Sequence, residues 1–198
     1  KNYTVYYRLV QYDNNTRVEN KTWQSIKTTL TSLALTGLEK YSLYEIQVSA
    51  STIAGEGSKT VAREFRTDED RPGIPRNVAA TNISSTELSV TWTEPLRRNG
   101  RLKNYTVYYR LVQYDNNTRV ENKTWKSIKT TLTSLALTGL EKYSLYEIQV
   151  SASTAVGDGN KTTAREFRTD EDTPDSPRDL RARNVSSTEL NVTWNKPL

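Results

Sequence analysis

The sequence predicts an all-β protein built of antiparallel β-sandwiches in series, one complete and two truncated. Three observations predict it. The first is self-similarity: residues 1–70 match 103–172 at 64 of 70 positions, and 71–96 match 173–198 at 15 of 26. Trp23 recurs as Trp125 and Trp92 as Trp194, so both blocks share an offset of 102. A period near 100 exceeds a solenoid unit of about 20–50 residues and indicates tandem whole domains. The second is apolar alternation at period 2 through the complete copy, with no helical stretch of useful length. The third is the turn chemistry between alternating runs: Asn99-Gly100, Asp115-Asn116-Asn117, Gly139 and Gly157-Asp158-Gly159. About seven short strands in roughly 100 residues make an antiparallel sandwich.

Along the complete copy, Leu88, Val90 and Trp92 take one face while Ser89 and Thr91 take the other. Tyr105, Val107, Tyr109 and Leu111 share a face, leaving Thr106, Tyr108 and Arg110 opposite. Leu135 and Leu137 form a further pair, and Tyr146, Ile148, Val150 and Ala152 a further set. The expected structural core is Trp92, Tyr105, Val107, Tyr109, Leu140, Tyr146, Ile148 and Val150. Between copies run "RTDEDRPGIP" and "RTDEDTPDSP". Prolines fix φ and remove donors, so these joints are expected to be stiff and extended. A strand of about eight residues rises roughly 3.3 Å per residue, so domains about 30 Å long in series would make a rod.

The complete domain is read as 71–172, preceded by the last part of one like it (1–70) and followed by the start of another (173–198). Residues 1–70 lack the strands that carry the counterparts of Leu88, Val90 and Trp92, each worth roughly 1.5–3 kcal/mol when buried. They are not expected to fold alone, since a whole domain holds only about 5–15 kcal/mol. Residues 173–198 supply two strands of the missing kind, which makes the two ends complementary between molecules.

Composition narrows the chemistry. The chain has no Cys and no His, which removes disulfides, thiolate nucleophiles and the commonest general base and metal ligand. No phosphate-cradling glycine loop, metal-ligand spacing or nucleophile motif is present. No enzyme activity, cofactor or metal is expected. The net charge of +5 comes from 28 basic and 23 acidic residues interleaved along the chain, a balance that implies no nucleic-acid partner. No apolar run reaches the ~18 residues of a membrane span, so any membrane attachment is expected through regions outside this segment. The absence of Met and of a signal peptide reads as an internal fragment of a longer polypeptide.

The complete copy resembles a fibronectin type III domain over its whole length. The resemblance lies in "PRNVAAT", "LSVTWTEP" with Trp92, "LKNYTVYYRL", "LTSLALTGLEKYSLYEIQVSAS" and "GDGNKT…FRT". It implies tandem immunoglobulin-like (fibronectin type III) β-sandwiches, with strands C to G in residues 1–70 and strands A and B in 173–198. It further implies a tyrosine corner at Leu140 and Tyr146, and at Leu38 and Tyr44, the Tyr hydroxyl bonding back to the chain. Lys142 and Lys40 stand where the family usually has Pro. The linkers look like those of long arrays in animal cell-surface receptors and adhesion proteins.

Candidate sites follow. Asn-x-Ser/Thr sequons occur at Asn2, Asn14, Asn20, Asn82, Asn104, Asn116, Asn122, Asn160, Asn184 and Asn191. Asn104 and Asn191 are expected on outward strand faces and the rest in turns and loops, as glycans require of a secreted chain. Arg97, Arg98, Arg101 and Lys103 form the one dense basic cluster, a candidate contact for heparan sulfate. The acidic triplets 68–70 and 170–172 are too few for the six or more ligands of calcium. Five of the six differences between the near-identical copies fall at 53–61 against 155–163, a loop at one sandwich tip, and no Arg-Gly-Asp occurs. The reading is a non-catalytic extracellular spacer and adhesion module with cell-surface or matrix protein partners. Its rivals are the ectodomain of a receptor tyrosine phosphatase or kinase, and a glycosaminoglycan-binding matrix protein.

Overall fold

A computed structural model describes residues 2–13, 16–19, 22–114, 117–121 and 124–197. Among them are fourteen strands and no helix. The front part holds β1 (Asn2–Gln11), β2 (Gln24–Thr28), β3 (Leu43–Thr52), β4 (Gly55–Glu56) and β5 (Arg63–Arg66). The middle holds β6 (Arg76–Ser84), β7 (Glu87–Thr93), β8 (Asn104–Gln113), β9 (Lys126–Thr130), β10 (Ser134–Leu137), β11 (Leu145–Ser153) and β12 (Arg165–Arg168). β13 (Arg178–Ser186) and β14 (Glu189–Asn195) end the chain as a hairpin.

The middle seven strands make one closed sandwich. A three-stranded sheet, β10-β7-β6, faces a four-stranded sheet, β12-β11-β8-β9, all pairs antiparallel. The alternation described above sends Leu88, Val90 and Trp92 inward from the first sheet and Tyr105, Val107, Ile148 and Val150 from the second. The Trp92 and Tyr105 rings meet edge to face at 5.5 Å, a favoured aromatic geometry. Leu140 and Tyr146 complete the same core, and Tyr109, Leu111 and Leu135 pack against it half-buried.

Two residues of β8 depart from simple alternation. Thr106, on the expected outer face, is buried, as is Ser151 directly across from it. Val112 is buried although Leu111 precedes it on the core face: the β8–β11 register skips it, and such a bulge re-aims the side chain.

The front part folds from nearly the same residues into one sheet only, β2-β1-β3-β4 with β5 also on β3. Its inward set, Val5, Ile46 and Val48, remains half-buried where Val107, Ile148 and Val150 are closed off. The segment Ser-Leu-Ala-Leu is strand β10 in the middle copy but has no strand structure at 32–35. β10 exists by pairing with β7, and the front sheet has no such neighbour. Tertiary context, not propensity, decides this segment.

Candidate functional site

The residues with most to do outside the core gather where the front sheet meets the middle sandwich. The loop "EPLRRNGRLK" between β7 and β8 turns on Asn99, whose φ of 52° lies in the left-handed region that Asn tolerates. Gly100 follows because the chain approaches closely: a Cβ there would lie 3.0 Å from the Thr154 side chain and 3.1 Å from Glu69. With the loop so placed, its backbone binds the linker. The Asp70 amide donates to the Asn99 carbonyl (2.7 Å) and the Gly73 amide to the Arg97 carbonyl (2.8 Å). The Asn99 side-chain amide donates to the Arg71 carbonyl at 2.8 Å, and the Thr154 hydroxyl to the Asp70 carbonyl at 2.9 Å. Gly159 closes the other side, so near the linker that a Cβ would stand 2.2 Å from the Pro72 carbonyl oxygen.

The turn after β1 and the linker supply acceptors. Buried Asp13 takes the Asn99 amide on Oδ2 at 2.7 Å, and Glu69 takes the Arg101 amide at 3.2 Å. Arg101 Nε donates to the Tyr41 hydroxyl at 3.0 Å. Arg97 pairs with Glu39 at 3.4 Å and lies 5.1 Å over the Tyr12 ring. Tyr41 itself has φ 47°, a conformation rare for a bulky residue. Arg66 holds it there by donating to its carbonyl at 2.8 Å and stacking on its ring at 5.0 Å. The same arrangement recurs at Tyr143, with φ 42° and Arg168 donating to its carbonyl at 2.8 Å, so it belongs to the repeat rather than to this joint alone. Lys40 pairs with Asp70 at 2.6 Å, and that ion pair first, then the Arg71 amide, holds the Asp70 carboxyl below its ordinary value.

Three members of the basic cluster are thereby engaged: Arg97 with Glu39, Arg101 with Tyr41, and Arg98 with Glu94 inside its own loop. Lys103 is exposed and, among the described residues, is in no ion pair. The acidic triplets serve the joints. At the far end Asp172 pairs with Lys142 at 2.8 Å and accepts from the Ser85 hydroxyl, while Asp170 accepts from the Asn82 side chain. The Asp172 carboxyl is held low by Lys142 first and by the Thr173 amide. Among the described residues no three carboxylates gather as metal ligands.

The two corner tyrosines bind alike: the Tyr146 hydroxyl accepts from the Glu141 amide at 2.7 Å and Tyr44 from Glu39 at 2.8 Å. Burial pushes both phenols up. Of the sequons, Asn2, Asn82 and Asn184 lie in β1, β6 and β13 rather than in turns, paired with Ser51, Leu88 and Leu190 and each exposed. Asn191 is exposed in β14 and Asn160 in a loop, while Asn104 is half-buried and accepts from the Ser153 hydroxyl at 2.8 Å. Asn14, Asn20, Asn116 and Asn122 fall outside the described residues.

The divergent loop rewires one contact. Glu56 accepts from both the Tyr6 and Ser49 hydroxyls, and Ser49 first, then Tyr6, keeps its carboxyl low. Its counterpart Asp158 is one methylene shorter, and the Ser151 hydroxyl is left without a partner among the described residues. In the sequence this loop and the arginines stand as separate surface features. Arg101 and Tyr41 lie 60 positions apart, and no local signal in the sequence joins them.

Comparison with known proteins agrees with this architecture. The profile of the family described as "Fibronectin type III domain" matches residues 73–168. Receptor-type tyrosine-protein phosphatase F of Danio rerio is 36% identical over 171 residues, 84% of this chain and 9% of that protein. Protein sidekick-1 of Homo sapiens is 30% identical over 216 residues, 98% of this chain and 10% of that protein. Tyrosine-protein phosphatase Lar of Drosophila melanogaster is 35% identical over 167 residues, 83% and 8%. The crystal structure of the FN5 domain of Drosophila Lar covers 51% of this chain and 99% of its own, with 27% identity and a TM-score of 0.40. The chain thus spans a tenth or less of the relatives it matches. With a closed seven-stranded sandwich repeated in sequence at both its ends, the chain belongs to the fibronectin type III family.

Proposed function

We propose that the chain is a non-catalytic spacer and adhesion segment of an extracellular region, in which sandwiches are coupled at fixed angles to carry binding surfaces away from a membrane or matrix. The observation that carries this reading is the latched joint. Four linker peptide groups and the side chains of Asp13, Tyr41, Glu69 and Arg101 are bonded across it, so the linker is structured rather than free. Protein partners at a cell surface or in matrix suit such a rod. Exposure of the described sequons other than Asn104 supports an extracellular, glycosylated setting. A heparan sulfate contact would rest on Lys103 and the exposed edges of Arg97 and Arg101. A second reading, a piece of a receptor tyrosine phosphatase ectodomain, is favoured by the 36% and 35% identities to two such phosphatases.

The test uses the absence of Cys, which makes introduced cysteines unique labelling sites. Spin labels at Glu64→Cys and Lys129→Cys, one on each side of the joint, should give a narrow distance distribution. Gly159→Ala, which forces a methyl into the Pro72 carbonyl, should broaden it, whereas Gly57→Ala, whose Cβ meets only the Ala50 carbonyl at 3.4 Å, should not. A broad distribution in the otherwise unaltered chain would overturn the rod.

A further inference from the structure

We propose that the outer face of the middle sandwich carries a binding site for the carboxylate of a glutamate side chain on a partner protein, centred on the hydroxyls of Thr106, Tyr108 and Ser151. The inference deepens the adhesion reading and rests on it for the partner being a protein. The site itself rests on three observations.

The first is an occupied version of the same arrangement elsewhere in the chain. On the outer face of the front sheet Thr4 stands across from Ser49, with Tyr6 two residues along β1. Glu56 on β4 places its carboxylate there and accepts from the Tyr6 and Ser49 hydroxyls. Lys27, directly across from Thr4, and Lys59, 3.6 Å over the Tyr6 ring, add favourable charge. Ser49 is only 2% exposed, so a carboxylate reaches a hydroxyl set this deep.

The second is that the middle sandwich repeats every donor but not the acceptor. Thr106 stands across from Ser151 on one side and from Lys129 on the other, and Lys161 lies 3.6 Å over the Tyr108 ring. Asp158 takes the place of Glu56 in the register, across from Ser153 as Glu56 is from Ser51, and is one methylene too short. Ser151 and Thr106 are 1% and 4% exposed, and neither hydroxyl has a partner among the described residues. Buried hydroxyls in this state cost free energy until an acceptor reaches them.

The third is charge. Arg110 and Glu147, next along the same face, pair with each other. Lys129 and Lys161 are in no ion pair among the described residues, and together they outnumber the exposed Asp158 by one. An ionised carboxylate only accepts, so one arriving from outside balances that excess and satisfies the hydroxyls at once, as Glu56 does in the front sheet.

The probe is the blocked peptide acetyl-Ala-Glu-Ala-amide, titrated into the isotope-labelled chain and followed by NMR. The backbone amides of Thr106, Tyr108 and Ser151 should shift saturably, and the glutamine analogue should leave them in place. The amides of Thr4, Tyr6 and Ser49 should not respond, because Glu56 already fills their site. Asp158→Glu should fill the middle site from within and weaken binding about tenfold, the weight of one charge-assisted hydrogen bond. Ser151→Ala should weaken it similarly while the middle sandwich melts as before, since the hydroxyl removed has no partner in the free chain. Equal shifts from the glutamate and glutamine peptides, or undiminished binding by Asp158→Glu, would each reject the site. Acetate binding as tightly as the peptide would overturn its assignment to a protein segment. None of these outcomes alters the distance across the joint, so the site and the rod fail separately.

Discussion

Tyr146→Phe isolates the contribution of one hydroxyl to the middle sandwich. The ring is buried and stays, so no cavity opens, and the change removes only the oxygen that accepts the Glu141 amide at 2.7 Å. A net hydrogen bond is worth about 0.5–1.5 kcal/mol, and a donor stranded away from water costs about 1–3. Glu141 is itself exposed, so water reaches part of the amide's surroundings and the expected loss is about 1–2 kcal/mol. Urea unfolding followed by fluorescence is well suited, because Trp92 is the buried tryptophan of the closed core and Trp194 is exposed. The midpoint should fall at unchanged slope, and thermal unfolding should shift by about 4–8 °C per kcal/mol for a domain of this size. Tyr44→Phe removes the matching bond at 2.8 Å in the open front sheet and should leave the Trp92 transition where it was. A loss below about 0.5 kcal/mol for Tyr146→Phe, or an equal effect from Tyr44→Phe, would refute the view that the corner stabilises only the closed copy.

The same asymmetry governs Ile148→Ala, which should cost about 2–5 kcal/mol by cavity formation in the Trp92 transition, whereas Ile46→Ala on the half-open sheet should not move that transition. High pH addresses Tyr105. Burial, and then the nearby Glu94 charge, push its phenol up to about 12 from 10.0. The folded state thus favours the neutral phenol, so its contribution is intact below pH 10 and fades as pH rises toward 12. Absorbance at 295 nm should show a phenol ionising near pH 12 that Tyr105→Phe removes, and no difference between the two proteins there would contradict it.

Much of the closed sandwich was legible because alternation reports which face a side chain takes. Leu88, Val90 and Trp92 from one run, and Tyr146, Ile148, Val150 and Ala152 from another, meet in one core as their spacing requires. Alternation does not report which strand lies alongside, which is why Ser-Leu-Ala-Leu is a strand at 134–137 and not at 32–35. Nor does it report what faces the outer surface: Thr106 and Ser151, across from each other in register, are both buried. The joint was illegible for a different reason. Asp13 meets Asn99 across 86 positions of chain, and Thr154 meets Asp70 across 84. No local pattern encodes such pairings, so the arginines of the loop read as a free basic patch when three of them are paired.

The bonded linker also bears on how the chain withstands proteases. By composition, Glu69 in this acidic, proline-flanked joint is the natural place to expect cutting by an enzyme specific for glutamate side chains. Such an enzyme must draw several residues into extended form in its cleft. Here the Asp70 amide and carbonyl, the Arg71 carbonyl and the Gly73 amide are each already bonded to the sandwich behind them. Digestion after Glu69 should therefore wait for the two bodies to come apart, making the rate of that cut a clock for how often they separate.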